Sequence, residues 1–203
     1  MLNKPDYYNN LDKVYLKIWS LLELGLKNRD APFHIPVFVC GKENRFDGRI
    51  VVLRGIDKKE KKVWFHSDIR SKKIKILKSN PFGVLLFYDK GQKIQLRISG
   101  KTKVNYQNEI TKKSWKKTAH MSRQCYLGDF SPGLEASKPT SGLSESIDNL
   151  KYSFEESEFG YKNFSVVEVV IKSIEWLYLA AKGHRRAYFQ FKNGEISKKW
   201  LIP

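Results

Sequence analysis

The side chains of residues 65–73 are suited to binding an anion. The segment brings hydroxyl groups (Ser67, Ser71) and cationic groups (Arg70, Lys72, Lys73) to the predicted start of a helix. Free N–H groups and the helix dipole both favour negative charge at such a place, whereas cations there need a compensating anion. The pattern therefore favours a phosphate site. A solvated, lysine-rich first helical turn is the alternative that composition alone leaves open.

Polar and cationic side chains on two predicted strands could face the same ligand. Arg49 and Arg54 are five residues apart, and strand residues an odd number apart face opposite sides. One arginine can therefore point at a ligand while the other stays at the rim, although solvent-exposed strand ends are the alternative for both. Gln95 lies on the polar face of an alternating strand, where its amide offers a donor and an acceptor to a heteroaromatic ring.

A third cluster lies near the C-terminus. Trp176 is followed by Lys182, His184 and Arg186 within eleven residues of sequence. These residue types could stack on a ring, bind an anion and hydrogen-bond a substrate hydroxyl group. A turn between two strands with solvent-facing charges is the alternative interpretation.

The familiar catalytic and metal-binding patterns are missing from the 203 residues. The sequence contains no GxSxG, P-loop, HExxH, GxGxxG or CxxC motif. The two cysteines, Cys40 and Cys125, give no disulfide framework. Neither these cysteines nor the four scattered histidines have the spacing of metal ligands. We therefore expect no metal site and a reducing compartment.

The composition favours a globular protein with an anionic partner. The chain has 38 lysine and arginine residues and 21 acidic residues, which gives a net charge of +17 and favours an anionic partner. Its content of 41% hydrophobic residues excludes a disordered chain. Nucleic acid is disfavoured as that partner, because no recognised module is present and the lysines are spread along the chain. Charged residues interrupt the apolar stretch 14–26, so we expect no membrane contact and a cytoplasmic location.

The elements that must position these groups are mainly strands. Apolar residues at helical spacing predict an amphipathic helix over 11–26, capped by Asn10. Further along, short apolar runs predict antiparallel hairpins, the first of them turning at Gly55. The predicted strands cover 34–41, 49–54, 62–67, 82–88, 92–104, 164–178, 185–191 and 196–202, and further helices cover 69–79, 108–119 and a short stretch near 155–158.

This order of elements predicts a mainly β (α+β) protein. We expect an antiparallel split β-barrel with peripheral helices, since closing a barrel removes exposed strand edges. Residues 1–30 should form an N-terminal helical arm packed on the barrel, and residues 31–203 the barrel domain. The segment 128–146, rich in Gly, Pro and Ser, should be a surface loop.

Six short segments occur in a characteristic order over most of residues 35–203. They are Arg49-Ile-Val-Val-Leu-Arg54, Trp64-Phe-His-Ser-Asp-Ile-Arg-Ser-Lys72, Asn80-Pro81 before Val84-Leu-Leu-Phe87, Gln95-Leu-Arg-Ile-Ser-Gly100, Trp176-Leu-Tyr-Leu179 with Gly183-His-Arg-Arg-Ala-Tyr188, and Trp200-Leu-Ile-Pro203. Together they resemble the pyridoxamine 5'-phosphate oxidase-like family of FMN-binding split barrels. The forms Asp68-Ile-Arg-Ser-Lys72 and Arg123-Gln-Cys-Tyr-Leu127 resemble a branch whose substrate is unassigned.

The resemblance implies FMN as cofactor and a homodimer that shares two FMN sites between its barrels. It assigns cofactor contacts to Arg49, Val51, Val52, Leu53, Arg54, His66, Ser67, Arg70, Ser71, Lys72, Gln95, Trp176 and Arg186. Ser71 stands where the family commonly has Arg, and the neighbouring Arg70 could supply that guanidinium. Trp176 and Arg186 match the pair that usually comes from the other subunit.

The same resemblance implies a small-molecule substrate but an altered site for it. The substrate positions are Arg54, Arg123, Lys182 and His184. The Arg-Pro-x-x-Ser phosphate signature of the true oxidase is missing around residues 120–126. The resemblance therefore implies an FMN-dependent oxidoreductase with an altered substrate site. A non-catalytic split barrel that holds flavin or haem is the alternative.

Overall fold

Nine antiparallel strands carry the fold, and helices lie at their periphery. The computed structural model describes residues 4–181 and 183–203. The strands are β1 (Val37–Lys42), β2 (Arg45–Ile50), β3 (Leu53–Asp57), β4 (Lys62–Asp68), β5 (Phe82–Asp89), β6 (Ile94–Tyr106), β7 (Phe164–Tyr178), β8 (Arg185–Lys192) and β9 (Glu195–Leu201). The helices are α1 (Leu11–Lys27), α2 (Lys72–Ser79), α3 (Glu109–Lys116), α4 (His120–Arg123), α5 (Glu145–Asp148) and α6 (Phe154–Ser157).

The strand order is β2-β1-β5-β6-β7-β4-β3, and β8 and β9 continue from β7 as a meander. Every pairing is antiparallel, which confirms the predicted sheet class. The long strand predicted over 164–178 is observed as Phe164–Tyr178, and it pairs with β6, β4 and β8. None of the described helices is long and apolar enough to cross a lipid bilayer.

The core lies on one face of the sheet and is closed by α1. Alternate residues of β6 (Ile94, Leu96, Ile98) are fully buried there, as the period of two predicts. The buried face of α1, which includes Ile18 and Trp19, joins the same hydrophobic cluster. Asn10 caps α1 by accepting a hydrogen bond from the Lys13 N–H group, as predicted.

Two predicted elements around the candidate site are wrong in detail. The strand predicted over 49–54 is broken at residues 51–52, because the Val51 N–H group bonds the Pro36 carbonyl and the chain passes from β2 to β3. Consequently Gly55 lies inside β3, and the hairpin turns at residues 58–61.

The helix predicted over 69–79 begins three residues later, at Lys72. Strand β4 continues through Asp68, which pairs with Phe164 of β7, so Ser67 and Asp68 are strand residues and not the helix cap. Ser71 occupies the cap position with extended backbone. The start of α2 therefore lies directly at the end of a buried central strand.

Candidate functional site

Strands β3 and β4 and the segment 119–126 enclose a cavity of about 520 Å³. Side chains alternate along β3, so Leu53 is buried in the core while Arg54 faces the cavity, together with Val52 from the preceding break. His66 of β4 lies beside them, and Arg29, from the turn after α1, completes this side. The opposite wall consists of Ala119, His120, Met121, Ser122, Cys125 and Tyr126.

The charge of this cavity comes from its arginines. Burial, and secondarily the Arg54 guanidinium, lowers the pKa of His66 to about 3, so its imidazole is neutral at neutral pH. The His66 ring packs edge-on against Phe164, with centroids 4.7 Å apart. Arg29 and Arg54 line the cavity, and none of the described lining residues is acidic. The cavity is therefore a positively charged recess.

A buried lysine lies at the start of α2. Lys73 is 7% exposed, and its Nζ donates to Ser71 Oγ at 3.2 Å, while Ser71 Oγ lies 3.3 Å from Ser67 Oγ. No carboxylate of the described chain lies within 4 Å of this ammonium group. Burial, and secondarily Arg49, lowers the pKa of Lys73 to about 8. Asp47 and Asp68 act in the opposite direction without bonding the ammonium group, which can therefore accept an anion as a further partner.

The two arginines predicted to reach a phosphate are already paired with aspartates. Arg70 forms a two-pronged pair with Asp68, with Nε–Oδ1 at 3.0 Å and Nη2–Oδ2 at 2.7 Å, and its Nη1 donates to the Asp129 carbonyl. Arg49 pairs in the same way with Asp47 on its own strand. The sequence predicts positive charge without a partner at this helix start, but the Asp68 carboxylate neutralises the charge of Arg70.

Lys72, the remaining predicted phosphate residue, is exposed in the first turn of α2. The structure therefore brings together Ser67, Ser71 and Lys73, with Arg49 near enough to affect the pKa of Lys73. Lys72 and Arg70 lie at the edge of this group.

The strand register separates Trp176 from the other predicted flavin contacts. Gln95, Leu177 and Arg186 are direct neighbours across β6, β7 and β8, so their side chains share the outer face of the sheet. Trp176 pairs with Leu96 and Ala187, faces the core and is 0% exposed. It does not line the cavity beside Arg54, and its predicted flavin contact stays a prediction.

Arg186 shares a carboxylate with a second arginine. Its Nη2 donates to Glu175 Oε2 at 2.8 Å, and Arg97 Nη2 donates to the same oxygen at 2.7 Å. The buried Nε of Arg186 has no hydrogen-bond partner among the described residues. Two guanidinium groups on one carboxylate leave a net positive charge on the outer face beside Gln95.

His184 lies at a second cavity, of about 390 Å³, which shares no lining residue with the first. Arg185, Asn9 and the C-terminal residues 200–203 complete its lining. The hydroxyl group of Tyr8 donates to the Gly183 carbonyl and ties this turn to the N-terminal segment. The predicted substrate residue Lys182 lies outside the described residues.

Arg123 does not face either cavity. Its side chain is 1% exposed and stacks 4.6 Å from the centre of the Trp115 ring. Its guanidinium donates to the Thr118 and Trp115 carbonyls, to Ser157 Oγ and to the Glu158 carboxylate. With its donors engaged, Arg123 is a structural residue of the helical layer, and we do not retain it as a substrate residue.

Arg29 is absent from the sequence-based prediction, and Lys73 is predicted as a cation of the helix start but without its burial. Lys73 could have been recognised as buried, because it lies on the same helical face as Ile74 and Leu77, which are core residues. Arg29 gave no such signal, since only the fold brings the end of α1 against β3 and β4.

Comparison with known proteins shows which proteins this chain resembles. Residues 26–106 match the family model described as pyridoxamine 5'-phosphate oxidase, FMN-binding domain. A pyridoxine/pyridoxamine 5'-phosphate oxidase of Psychrobacter cryohalolentis is 27% identical over 200 residues, covering 93% of this chain and 87% of that protein. The corresponding protein of Psychrobacter arcticus has the same identity and coverage.

Solved structures share the fold. A pyridoxamine 5'-phosphate oxidase-related, FMN-binding protein of Nostoc punctiforme superposes over 100% of both chains with a TM-score of 0.74 at 16% identity. PhzG of Burkholderia lata, solved with tetrahydrophenazine-1-carboxylic acid, gives a TM-score of 0.70 at 15% identity, over 100% of this chain and 99% of that one. These likenesses confirm the predicted split-barrel fold. The matched segment and the shared fold make this chain similar to proteins of the pyridoxamine 5'-phosphate oxidase-like family.

Proposed function

We propose that this protein is an FMN-dependent oxidoreductase whose substrate site differs from that of pyridoxamine 5'-phosphate oxidase. The observation that carries the proposal is the buried, carboxylate-free ammonium group of Lys73 beside two serine hydroxyl groups at the start of α2. When bound, FMN accepts and passes on a hydride or single electrons. The relatives' names describe what those proteins bind and transform, and they support this proposal by similarity only.

The residues at the start of α2 fit the phosphate of FMN. An ammonium group has three N–H donors, and Lys73 uses one of them on Ser71, so the others can serve phosphate oxygens. Ser67 and Ser71 add hydroxyl groups beside the ammonium group. Helix α2 contributes the free N–H groups of its first turn.

The cavity between β3, β4 and segment 119–126 fits the isoalloxazine ring and a substrate. Val52 offers an apolar surface, while Arg54 and the neutral His66 supply hydrogen-bond donors and acceptors at the same wall. A guanidinium group near the ring stabilises the negative charge that the flavin gains on reduction. These residues would orient the ring while the phosphate is anchored at Lys73.

A homodimer would bring further residues to this site. The outer face of the sheet exposes apolar side chains, including Phe46 (77% exposed) and Ile50 (65% exposed) of β2. Register places Ile50 next to Val37, and Val37 next to Leu86, so this apolar surface is continuous. Such a surface marks a protein–protein contact. Pairing two copies there would also bury Gln95 and Arg186, which lie on the same face.

The experiment that tests this function is a flavin-binding and reduction assay. The purified protein is incubated with FMN, desalted and examined for the spectrum of bound flavin. The loaded protein is then mixed anaerobically with NADH, NADPH or pyridoxamine 5'-phosphate. Retained flavin that one of these donors bleaches is the expected result.

The two possible failures have different meanings. Absence of retained flavin would contradict FMN binding itself. Retained flavin that none of the donors reduces would contradict the oxidoreductase and favour the non-catalytic alternative.

A further inference from the structure

We propose that Arg70 is a clasp that holds segment 128–134 over the phosphate site at the start of α2, so that FMN enters and leaves only when the clasp opens. The inference rests on the proposed function, because it takes the group beside Lys73 to hold the phosphate of FMN. It makes Arg70 a positioning residue that controls the rate of cofactor exchange. It does not require Arg70 to contact the phosphate.

The proposed phosphate site is buried in the described chain. Ser71 is 2% exposed and Lys73 is 7% exposed. A phosphate group can therefore reach the Lys73 ammonium group only if a neighbouring part of the chain moves aside. The nearby strands β1, β2 and β4 cannot do so without breaking the ladder hydrogen bonds that join them to their neighbours.

Segment 128–134 lies against the start of α2. The Arg70 Nη1 atom donates to the Asp129 carbonyl at 3.1 Å. A Cβ atom on Gly133 would lie 3.8 Å from Cε of Lys72, which is van der Waals distance, so the segment reaches that side chain as well. The two contacts place the segment beside the residue between Arg70 and Lys72, which is the serine that caps α2.

A single hydrogen bond holds this segment down. Among the described residues, no hydrogen bond or ion pair other than the one from Arg70 joins the segment, or residues 135–139 after it, to the rest of the chain. Most of these residues are exposed. A segment with so few contacts opens at a small fraction of the free energy of global unfolding. It is therefore the part of the phosphate site's surroundings that moves most readily.

The tip of the segment is an ordered turn. Pro132 and Gly133 occupy its two central positions, and the Leu134 N–H group donates to the Ser131 carbonyl at 3.3 Å. Gly133 has φ +85°, as the second central residue of a type II turn requires. Because the turn is closed by its own hydrogen bond, the tip can move as one piece.

The base of the segment is fixed close to the clasp. The buried Asn163 donates from its side-chain amide to the Tyr126 carbonyl at 2.8 Å, and its own carbonyl accepts from the Ile69 N–H group at 2.9 Å. The residue before Arg70 and the residue from which the segment departs are thus tied to the same side chain and backbone. Opening is therefore confined to the residues that follow Tyr126.

Asp68 orients the guanidinium group that forms the clasp. Its carboxylate accepts from the Arg70 backbone N–H group at 2.7 Å, from Nε at 3.0 Å and from Nη2 at 2.7 Å. This pairing leaves Nη1 to reach the Asp129 carbonyl. A lysine has one nitrogen atom and cannot span both groups in this way, so the clasp requires arginine.

Stopped-flow measurement of FMN binding and release tests the clasp. Quenching of flavin fluorescence gives the association rate constant, and its return after dilution of the loaded protein gives the dissociation rate constant. Arg70→Ala removes a hydrogen bond from a charged donor, so the segment opens more often and both constants should rise by about tenfold or more. Because entry and exit use the same opening, the Kd should change much less than either constant.

Two further variants separate the clasp from charge and from folding. Arg70→Lys keeps a positive charge beside Asp68, yet it should exchange FMN about as fast as Arg70→Ala. Pro132→Gly loosens the turn without touching this ion pair, and it should raise both rate constants about threefold. The matched control is Lys75→Ala, an exposed cation of the same helix, which should leave both constants unchanged.

Three outcomes would overturn the clasp. They are unchanged rate constants in Arg70→Ala, a rise in its dissociation rate constant alone, which would indicate a direct phosphate contact, and wild-type rate constants in Arg70→Lys. If neither Arg70 variant folds, unchanged constants in Pro132→Gly would overturn it. Failure of the wild-type protein to bind FMN would instead overturn the proposed function. FMN binding is measured first, so the two failures are distinguished.

Discussion

Lys73 shows how much a single buried charge can determine. An ammonium group loses hydration on burial, and Lys73 has only Ser71 as a hydrogen-bond partner among the described residues. That arrangement is costly in the free protein and favourable once an anion is bound. A residue held in an unfavourable state by the fold is a better indicator of a ligand than the more numerous surface lysines.

The lowered pKa of Lys73 predicts that FMN affinity depends on pH. The phosphate of FMN favours the protonated amine, so binding raises the pKa of Lys73 above its value of about 8 in the free protein. Below that pH the amine is protonated in both states, and affinity is constant. Above it the free protein has lost a proton that the complex retains, so the Kd should rise by up to about tenfold per pH unit.

Quenching of flavin fluorescence across the alkaline range measures this dependence. Riboflavin, which lacks the phosphate, should bind with the same affinity below and above the pKa of Lys73. An FMN affinity that stays constant well above that pKa would show that Lys73 does not contact the phosphate.

Arg123 is predicted to stabilise the fold without affecting ligand binding. Arg123→Ala leaves the Trp115 and Thr118 carbonyls and Ser157 without their donor, which should lower the free energy of unfolding by about 3 kcal/mol. Urea denaturation measures this loss, with Lys117→Ala, an exposed cation nearby, as the control. Folded Arg123→Ala protein should bind pyridoxamine 5'-phosphate as the wild-type protein does. A variant of normal stability with weakened substrate binding would return Arg123 to the substrate site.

At the scale of single residues, some residues predicted together from type and strand position also lie together in the structure. Val52, Arg54 and His66 were predicted as site residues, and the structure places them around one cavity. Their roles toward a cofactor stay predictions. Arg123 was misjudged because nothing in the sequence shows that Glu158, thirty-five residues away, pairs with it.

At the scale of elements, the N-terminal segment acts as a strap over the turn between β7 and β8. Tyr8 is buried, and its hydroxyl group bonds the Gly183 carbonyl. The Arg185 guanidinium stacks 4.5 Å from the centre of the Tyr8 ring. Gly183 has φ +86°, and a Cβ atom there would lie 2.7 Å from the Tyr8 hydroxyl oxygen. The turn that carries His184 thus depends on this contact.

Tyr8→Phe should loosen this turn without unfolding the protein. Loss of one hydrogen bond costs about 1 kcal/mol, which should speed amide hydrogen exchange in the first residues of β8 several-fold. The control is Tyr106→Phe, which removes a similar hydroxyl-to-carbonyl bond at Lys162. If amide hydrogen exchange in β8 is equally fast in the two variants, the Tyr8 contact does not hold this turn in place.

The sequence predicts most of the strands and helices correctly, but it predicts the residues at which they begin and end less well. Alternation and apolar runs identified β6 and β7 because both strands are buried on one face along their length. The break at residues 51–52 was missed, since Val51 and Val52 have strong strand propensity and only the contact with Pro36 diverts the chain. The start of α2 was placed too early because Ser67 and Asp68 also suit a helix cap.

At the scale of the molecule, the net charge of +17 separates into two parts. One cation, Lys73, is buried with no carboxylate of the described chain within 4 Å, and Arg29 and Arg54 line one cavity. The lysines of α3 and of the turn at residues 58–61 lie on the surface and indicate no ligand. The net charge of +17 therefore makes a large polyanionic partner look more favoured than it is, and the local arrangement of cations indicates small anionic ligands instead.

The exposed apolar face predicts that assembly and flavin binding are coupled. Ile50→Glu places a charge on that face, and because the side chain is already exposed the single chain should still fold. Light scattering after size exclusion should show a dimer for the wild-type protein and a monomer for this variant, and FMN affinity should fall at least about tenfold.

Lys42→Glu, on the neighbouring strand and also exposed, tests whether added negative charge alone has this effect. An Ile50→Glu variant that stays dimeric, or a monomeric variant with normal FMN affinity, would contradict the shared site.

The central claim is that Lys73 holds the phosphate of FMN, and the ratio of riboflavin Kd to FMN Kd tests it most directly. The wild-type protein should prefer FMN strongly. Lys73→Met, which keeps the length of the side chain and removes its charge, should lose about tenfold or more of that preference, while riboflavin binding stays the same. Lys75→Met, on the exposed side of the same helix, should behave as the wild type. An unchanged ratio in Lys73→Met would contradict the account.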